Sequence, residues 1–304
     1  MDLTAKFLTR FVFLCLALPL ALFPSAGLAK VQDCGAAVEL RVNQAVSVQG
    51  GLLLAEVKSA RPLANVNGEW GGRAVPFWQQ AGPQDVRRAL LGVDLEKSEG
   101  KYELKVAGET STGKKIACRA VITVRKGRFA VESLHVENEF VEPSPEQIKR
   151  ADEERLKLRE ILDRVTPGRL WTGAFHLPLD GVKTGGNFGK RRVLNGKPGS
   201  PHSGVDFPAV TGTPVHTAQT GRVVLAEELF FSGNTVVVDH GLGIYTFYGH
   251  LSQIDVKVGD ELEASQVLGK VGATGRVTGP HLHWGLTVER ARVDPLQVVS
   301  LPGL

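Results

Sequence analysis

Six of the eight histidines of this 304-residue chain fall between positions 202 and 283, and three local patterns among them carry chemical meaning. The first is His202-Ser203-Gly204-Val205-Asp206. Positions four apart share a face on a helix and also on an extended strand. Gly204, Val205 and Pro208 disfavour the helix, and in either geometry an imidazole nitrogen and a carboxylate oxygen can converge on one ion. The second is His281-Leu282-His283-Trp284, where a strand would point both imidazoles to one side and the two apolar groups to the other. Burying two imidazoles together without a metal or an acid is costly. The third is Tyr248-Gly249-His250, whose phenol and imidazole would share a strand face and could donate to a developing oxyanion.

Taken singly, each of these histidines reads as a core residue with a satisfied hydrogen bond. Together they bring more polar groups into one region than a core tolerates unpaired. Two histidines and one aspartate match a catalytic zinc site, with three protein ligands and an open position. The nitrogen and oxygen donors favour Zn2+ over Cu(I) or an iron–sulfur cluster. His135, His176, His216 and His240 are isolated or lie in a turn and receive no chemical role.

These groups need a scaffold, and the pattern around them is mainly β. Residues 30–128 read as short strands in a β-sandwich-like domain: Tyr102, Leu104 and Val106 alternate with Glu103 and Lys105, and Asn67-Gly68 and Gly71-Gly72 are turn signals. No cluster of chemical groups appears there. Residues 129–169 form a linker with an amphipathic connector helix. Ser144, Pro145 and Gln147 are its start signals, Ile148, Ala151, Leu158, Leu162 and Val165 its apolar stripe, and Thr166-Pro167-Gly168 its stop. That stripe must dock on a flanking domain; docking across the cleft would make the first domain inhibitory. Residues 170–304, rich in glycine and β-branched residues, form a second β domain.

Apolar residues at 42% and charged residues at 22% exclude a wholly disordered chain and a polytopic membrane protein. The net charge of +4 comes without a basic stripe and gives no case for nucleic-acid binding. Residues 1–29 read as a signal peptide: Lys6 and Arg10 precede an apolar run from Phe11 to Phe23, and small residues lead to cleavage after Ala29. The run is shorter than the ~20 residues needed to span a bilayer, so no stable span remains after cleavage. Cys15 has no lipobox around it. The mature chain keeps Cys34 and Cys118, which export would allow to pair, for roughly 4–5 kcal/mol at most.

The segment from Asn187 to Pro295 resembles the catalytic domain of the LytM/lysostaphin-like zinc metallopeptidases, peptidase family M23. His-x-x-x-Asp at 202–206, Tyr-x-His-Leu at 248–251, Val-Lys-Val-Gly-Asp at 256–260 and Thr-Gly-x-x-Thr-Gly-Pro-His-Leu-His at 274–283 stand in the family's order. The resemblance implies an antiparallel β peptidase domain in which His202, Asp206 and His283 bind Zn2+. It implies His281 as the base that activates water and His250 as a second catalytic histidine. Asn187, Asn195 and Tyr248 would line the cleft. It further implies an enzyme of the periplasm or cell surface that hydrolyses peptide cross-links of peptidoglycan, at D-Ala–diaminopimelate or glycine-containing bonds, with the former favoured. The competing readings are a non-catalytic activator of a wall amidase, against which the intact five-residue set counts, and a secreted protease with protein substrates. No protein partner is identifiable.

Overall fold

The computed structural model describes residues 31–301 and 304; the leader read at residues 1–29 lies outside the described residues. Residues 32–125 form a sandwich of two five-stranded sheets. One runs in the order Gln32–Asp33, Val38–Val42, Leu52–Ser59, Asp85–Gly92, Trp78–Gln80. The other runs Val46–Val48, Lys115–Arg125, Gly100–Thr110, Leu63–Trp70, Arg73–Pro76. Period-2 alternation builds the core: Leu40, Val57, Leu104, Val106 and Ile122 are buried between the sheets, while Glu103, Lys105 and Val121 face out. Gly71 and Gly72, both at positive φ, close the two-residue hairpin between Trp70 and Arg73. Asn67-Gly68 makes no turn but lies within the Leu63–Trp70 strand. A Cβ at Gly68 would come within 2.8 Å of the Phe77 ring, so close packing explains this glycine. Cys34 and Cys118 form the disulfide read from the sequence, with Cα atoms 4.7 Å apart.

The 129–169 segment does more than connect. Its Val131–Leu134 strand pairs in parallel with Arg191–Leu194, which pairs with Lys197–Pro198. The helix runs Pro145–Leu162 and begins with the full capping box: the Ser144 side chain accepts from the Gln147 amide, and the Gln147 side chain accepts from the Ser144 amide.

The C-terminal domain centres on a nine-stranded antiparallel sheet whose main path is Gly204–Pro208, His281–Val288, Ile244–Ile254, Gly233–Asp239, Gly221–Leu229, Glu261–Leu262. One face buries Phe207, Val236, Val238, Tyr248, Leu282 and Trp284. Leu52, Trp78 and Leu90 of the sandwich join this same core, with Trp78 edge-on to Trp171 at 5.4 Å. Asp94 pairs with Arg292 at 2.7 Å, and the Leu52 amide donates to Gln297 Oε1, so the two domains meet through both apolar and polar contacts.

The connector helix covers part of the opposite face, packing on Leu225, Leu229, Val237 and Tyr245. Its docking differs from the stripe expected. Leu158 and Leu162 do pack, but the deepest residue is Ile161, while Ile148 and Val165 are exposed. The last turns of the helix, from Leu158 to Leu162, are gripped by apolar contact. Further toward its start, polar contacts hold it: Arg150 pairs with Glu228, Lys157 with Glu227, and Glu154 accepts from the Phe230 amide.

Candidate metal centre

The strand Gly204–Pro208 lies against His281–Val288 with Asp206 directly opposite His283 and Pro208 opposite His281. This register brings the two motifs together although about 75 residues separate them in sequence. The alternation expected of the second motif holds: Leu282 and Trp284 are fully buried in the core, and His281 and His283 lie on the other face. Gly204 is required where it stands, since a Cβ there would lie 2.4 Å from the Trp284 carbonyl and 2.8 Å from the His283 ring.

Three atoms converge. His202 Nε2 lies 2.8 Å from His283 Nδ1 and 3.0 Å from Asp206 Oδ1, and His283 Nδ1 lies 3.0 Å from the same oxygen. His202 Nδ1 is 3.0 Å from the Asn187 carbonyl, which can only accept. The ring proton therefore sits on Nδ1, and Nε2 turns its lone pair into the cluster. Asn187 also donates from Nδ2 to Asp206 Oδ2 at 2.8 Å and accepts the Asp206 amide at Oδ1. Arg192 donates to Asp206 Oδ2 at 3.1 Å. One carboxylate oxygen is thus held by donors while the other faces two imidazole nitrogens. A divalent ion with bonds of about 2.0–2.1 Å fits this donor set and spacing. Burial opposes ionisation of Asp206, but the imidazoles of His202 and His283 beside it outweigh burial and hold the carboxyl far below the usual range. Burial lowers His283 to about 4 against the opposing bond to Asp206.

Two more imidazoles border the cluster. His281 Nδ1 donates to the Gly279 carbonyl at 2.8 Å, leaving Nε2 open 3.7 Å from Asp206 Oδ1. His250 Nδ1 donates to the Thr274 carbonyl at 2.8 Å, and its ring lies 4.8 Å from that of His281. Burial, then the neighbouring His283 and His281, lowers His250 to about 3 and keeps it neutral.

The expected shared face of Tyr248 and His250 does not exist. Tyr248 is fully buried, its hydroxyl accepting from the Ala218 amide and the Thr246 hydroxyl. Between Tyr248 and Leu251 the strand carries one residue more than its partner does between Val236 and Asn234. His250 takes φ 64° in this bulge, and the extra residue turns its side chain from the core to the cleft. Asn195 does not line the cleft either: it brackets the Val136 amide and carbonyl and so ties down the segment before the helix. His240 is a satisfied core histidine, bonded to the Thr220 carbonyl and the Thr246 hydroxyl and lowered to about 4 by burial.

The cleft has two lobes that meet at His250, Arg192 and Arg276. One is walled by Leu158 and Leu162 of the connector helix with Phe231 and Phe247; the other by Leu134, Val136, Thr278 and His281. The helix therefore flanks the cleft as a wall. Arg192 and Arg276 carried no signal in the sequence, because a basic residue in a loop or an Arg-Arg pair is ordinarily a solvated one. Burial lowers Arg276 to about 10, with Arg192 adding to the effect.

Residues 200–295 match the model of Peptidase family M23. The chain is 31% identical over 212 residues to the peptidoglycan DD-endopeptidase ShyA of Vibrio cholerae, a match covering 68% of this chain and 44% of that protein. It is 38% identical over 138 residues to the peptidoglycan DD-endopeptidase ShyC of the same organism, covering 44% of this chain and 31% of that one. The chain thus spans less than half the length of these curated relatives. The crystal structure of an M23-family protein from Pseudomonas aeruginosa superposes with a TM-score of 0.64 at 32% identity, covering 83% of this chain and 94% of that one. With that likeness running through both domains and the motif-bearing segment matching the family model, the chain belongs to peptidase family M23.

Proposed function

We propose that this protein is an exported zinc-dependent endopeptidase that hydrolyses peptide cross-links of bacterial peptidoglycan. The observation that carries the reading is the convergence of His202 Nε2, Asp206 Oδ1 and His283 Nδ1 within 2.8–3.0 Å of one another, beside two further imidazoles in the same cleft. The names of the Vibrio relatives, both peptidoglycan DD-endopeptidases, support the substrate and a bond between D-residues. The basic n-region and apolar run at the N-terminus support an envelope or secreted location.

In this reading His202, Asp206 and His283 are the ligands. Bound zinc would acidify a water and polarise the scissile carbonyl. The chain supplies the rest. Asn187 and Arg192 occupy Asp206 Oδ2 and leave Oδ1 to the metal. His281, its tautomer fixed by the Gly279 carbonyl, has Nε2 free to take a proton from the attacking water and return it to the leaving amine. His250 in its neutral tautomer can accept at Nε2; it donates to an oxyanion only after taking up a proton. The two lobes give the peptide chain room on both sides of the bond.

Digestion of purified, cross-linked peptidoglycan followed by muropeptide mass analysis tests the reading. Chelation should abolish release of monomeric muropeptides and zinc should restore it. His281→Ala should retain the metal and lose turnover by about 10²–10⁴-fold. Equal digestion by chelated and zinc-loaded protein would sink the proposal.

A further inference from the structure

Several arginines of this chain are met by acids. Arg292 bonds to Asp94 and Glu96, Arg87 to Asp85, and Arg222 to Glu261. The two in the cleft are different. Arg276, half-buried, makes no ion pair among the described residues; its guanidinium sits over the Phe231 ring at 4.6 Å. Arg192 is mostly buried and has one acid, Asp206, whose other oxygen faces the histidine cluster. Its Nε is buried with no hydrogen-bond partner among the described residues. Glu132, the other acid in the adjoining lobe, is taken by Lys190 at 2.6 Å. A bound divalent ion would use the charge of Asp206 and leave both guanidiniums in excess. Both line both lobes of the cleft, so the place where substrate would lie has an unmet demand for an anion.

We propose that Arg276, backed by Arg192, is a carboxylate clamp that selects substrates carrying a free carboxylate on the residue that supplies the scissile amide nitrogen. This rests on the endopeptidase reading above and deepens it. In an ordinary peptide no such carboxylate exists next to the bond, because the α-carboxyl of that residue continues the chain. A cross-link made through a side-chain amine, as in diaminopimelate, leaves a free carboxylate beside the amide nitrogen; a glycine bridge does not. The fork of a guanidinium matches a carboxylate in two parallel hydrogen bonds. The competing role for Arg276 is structural, a cation packed on Phe231.

The test is equilibrium binding to the zinc-loaded full chain of two amine-side fragments, which contain no scissile bond: a diaminopimelate-containing tripeptide with its free carboxylate, and the same tripeptide with that carboxylate as a carboxamide. The carboxylate form should bind the wild type at least ~10-fold more tightly. The ratio should fall to within about twofold in Arg276→Gln and be partly restored in Arg276→Lys. A structural arginine would change both affinities together and leave the ratio intact. A wild-type ratio near one, or an undiminished ratio in Arg276→Gln, as when the metal itself takes the carboxylate, would overturn the clamp. If Arg276→Gln fails to fold, the wild-type ratio and Arg276→Lys still decide, since loss of the fork should reduce the ratio. Wild-type protein that shows the ratio but releases no muropeptide would remove the hydrolase reading and leave the clamp standing.

Discussion

Asp85 in the sandwich and Asp206 in the nine-stranded sheet are both strand carboxylates largely withdrawn from solvent, yet they are satisfied in opposite ways. Asp85 gives one oxygen to Arg87 and the other to the Leu63 amide and Arg87, so every nearby group is a donor. Asp206 has the fixed donors Asn187 and Arg192 on one oxygen; the other faces two imidazole nitrogens, one of them a lone pair by virtue of the His202–Asn187 bond. A buried carboxylate surrounded by donors is structural, whereas one that shares its space with other lone pairs is completed by a cation. The domains differ in the same sense. The sandwich uses its inner faces to bury each other, and on its outer surface it sets solvated charges beside the apolar patch of Leu52, Trp78 and Leu90 that meets the larger domain. The larger sheet uses one face for the core and divides the other between the connector helix and the histidine cluster.

The largest expected effect tests that contrast directly. Asp206→Ala should lose the bound metal almost completely by elemental analysis, while Asp85→Ala should keep it and lose about 1–3 kcal/mol of stability, the cost of leaving buried donors unpaired. Metal retained in Asp206→Ala would break the comparison. Next in size is the disulfide: Cys118→Ser should cost about 2–5 kcal/mol in denaturant titrations and leave metal content unchanged, because Cys34 and Cys118 belong to the sandwich alone. The smallest effects sharpen the account of the connector. Ile161→Ala, in the docked half, should cost about 2–4 kcal/mol, and Ile148→Ala, exposed in the other half, less than about 0.5. Equal losses at both would mean that the whole stripe docks in solution.

The residue pattern by itself determined whatever depends on chemistry local to a few residues. Ser144, Pro145 and Gln147 form a cap because their side chains reach amides three residues away. His281 and His283 share a face because strand geometry repeats every two residues. Tertiary structure decided the rest. Tyr248 and His250 part company because the neighbouring strand forces a bulge, and the extra residue breaks the period that sequence spacing assumes. Ile161 outranks the expected stripe because only the surface it meets, Leu225 to Tyr245, fixes which part of a helix is buried. Arg192 and Arg276 look like solvated cations in one dimension and become cleft residues only when distant segments fold over the sheet, since burial and the supply of acid partners are properties of neighbours in space.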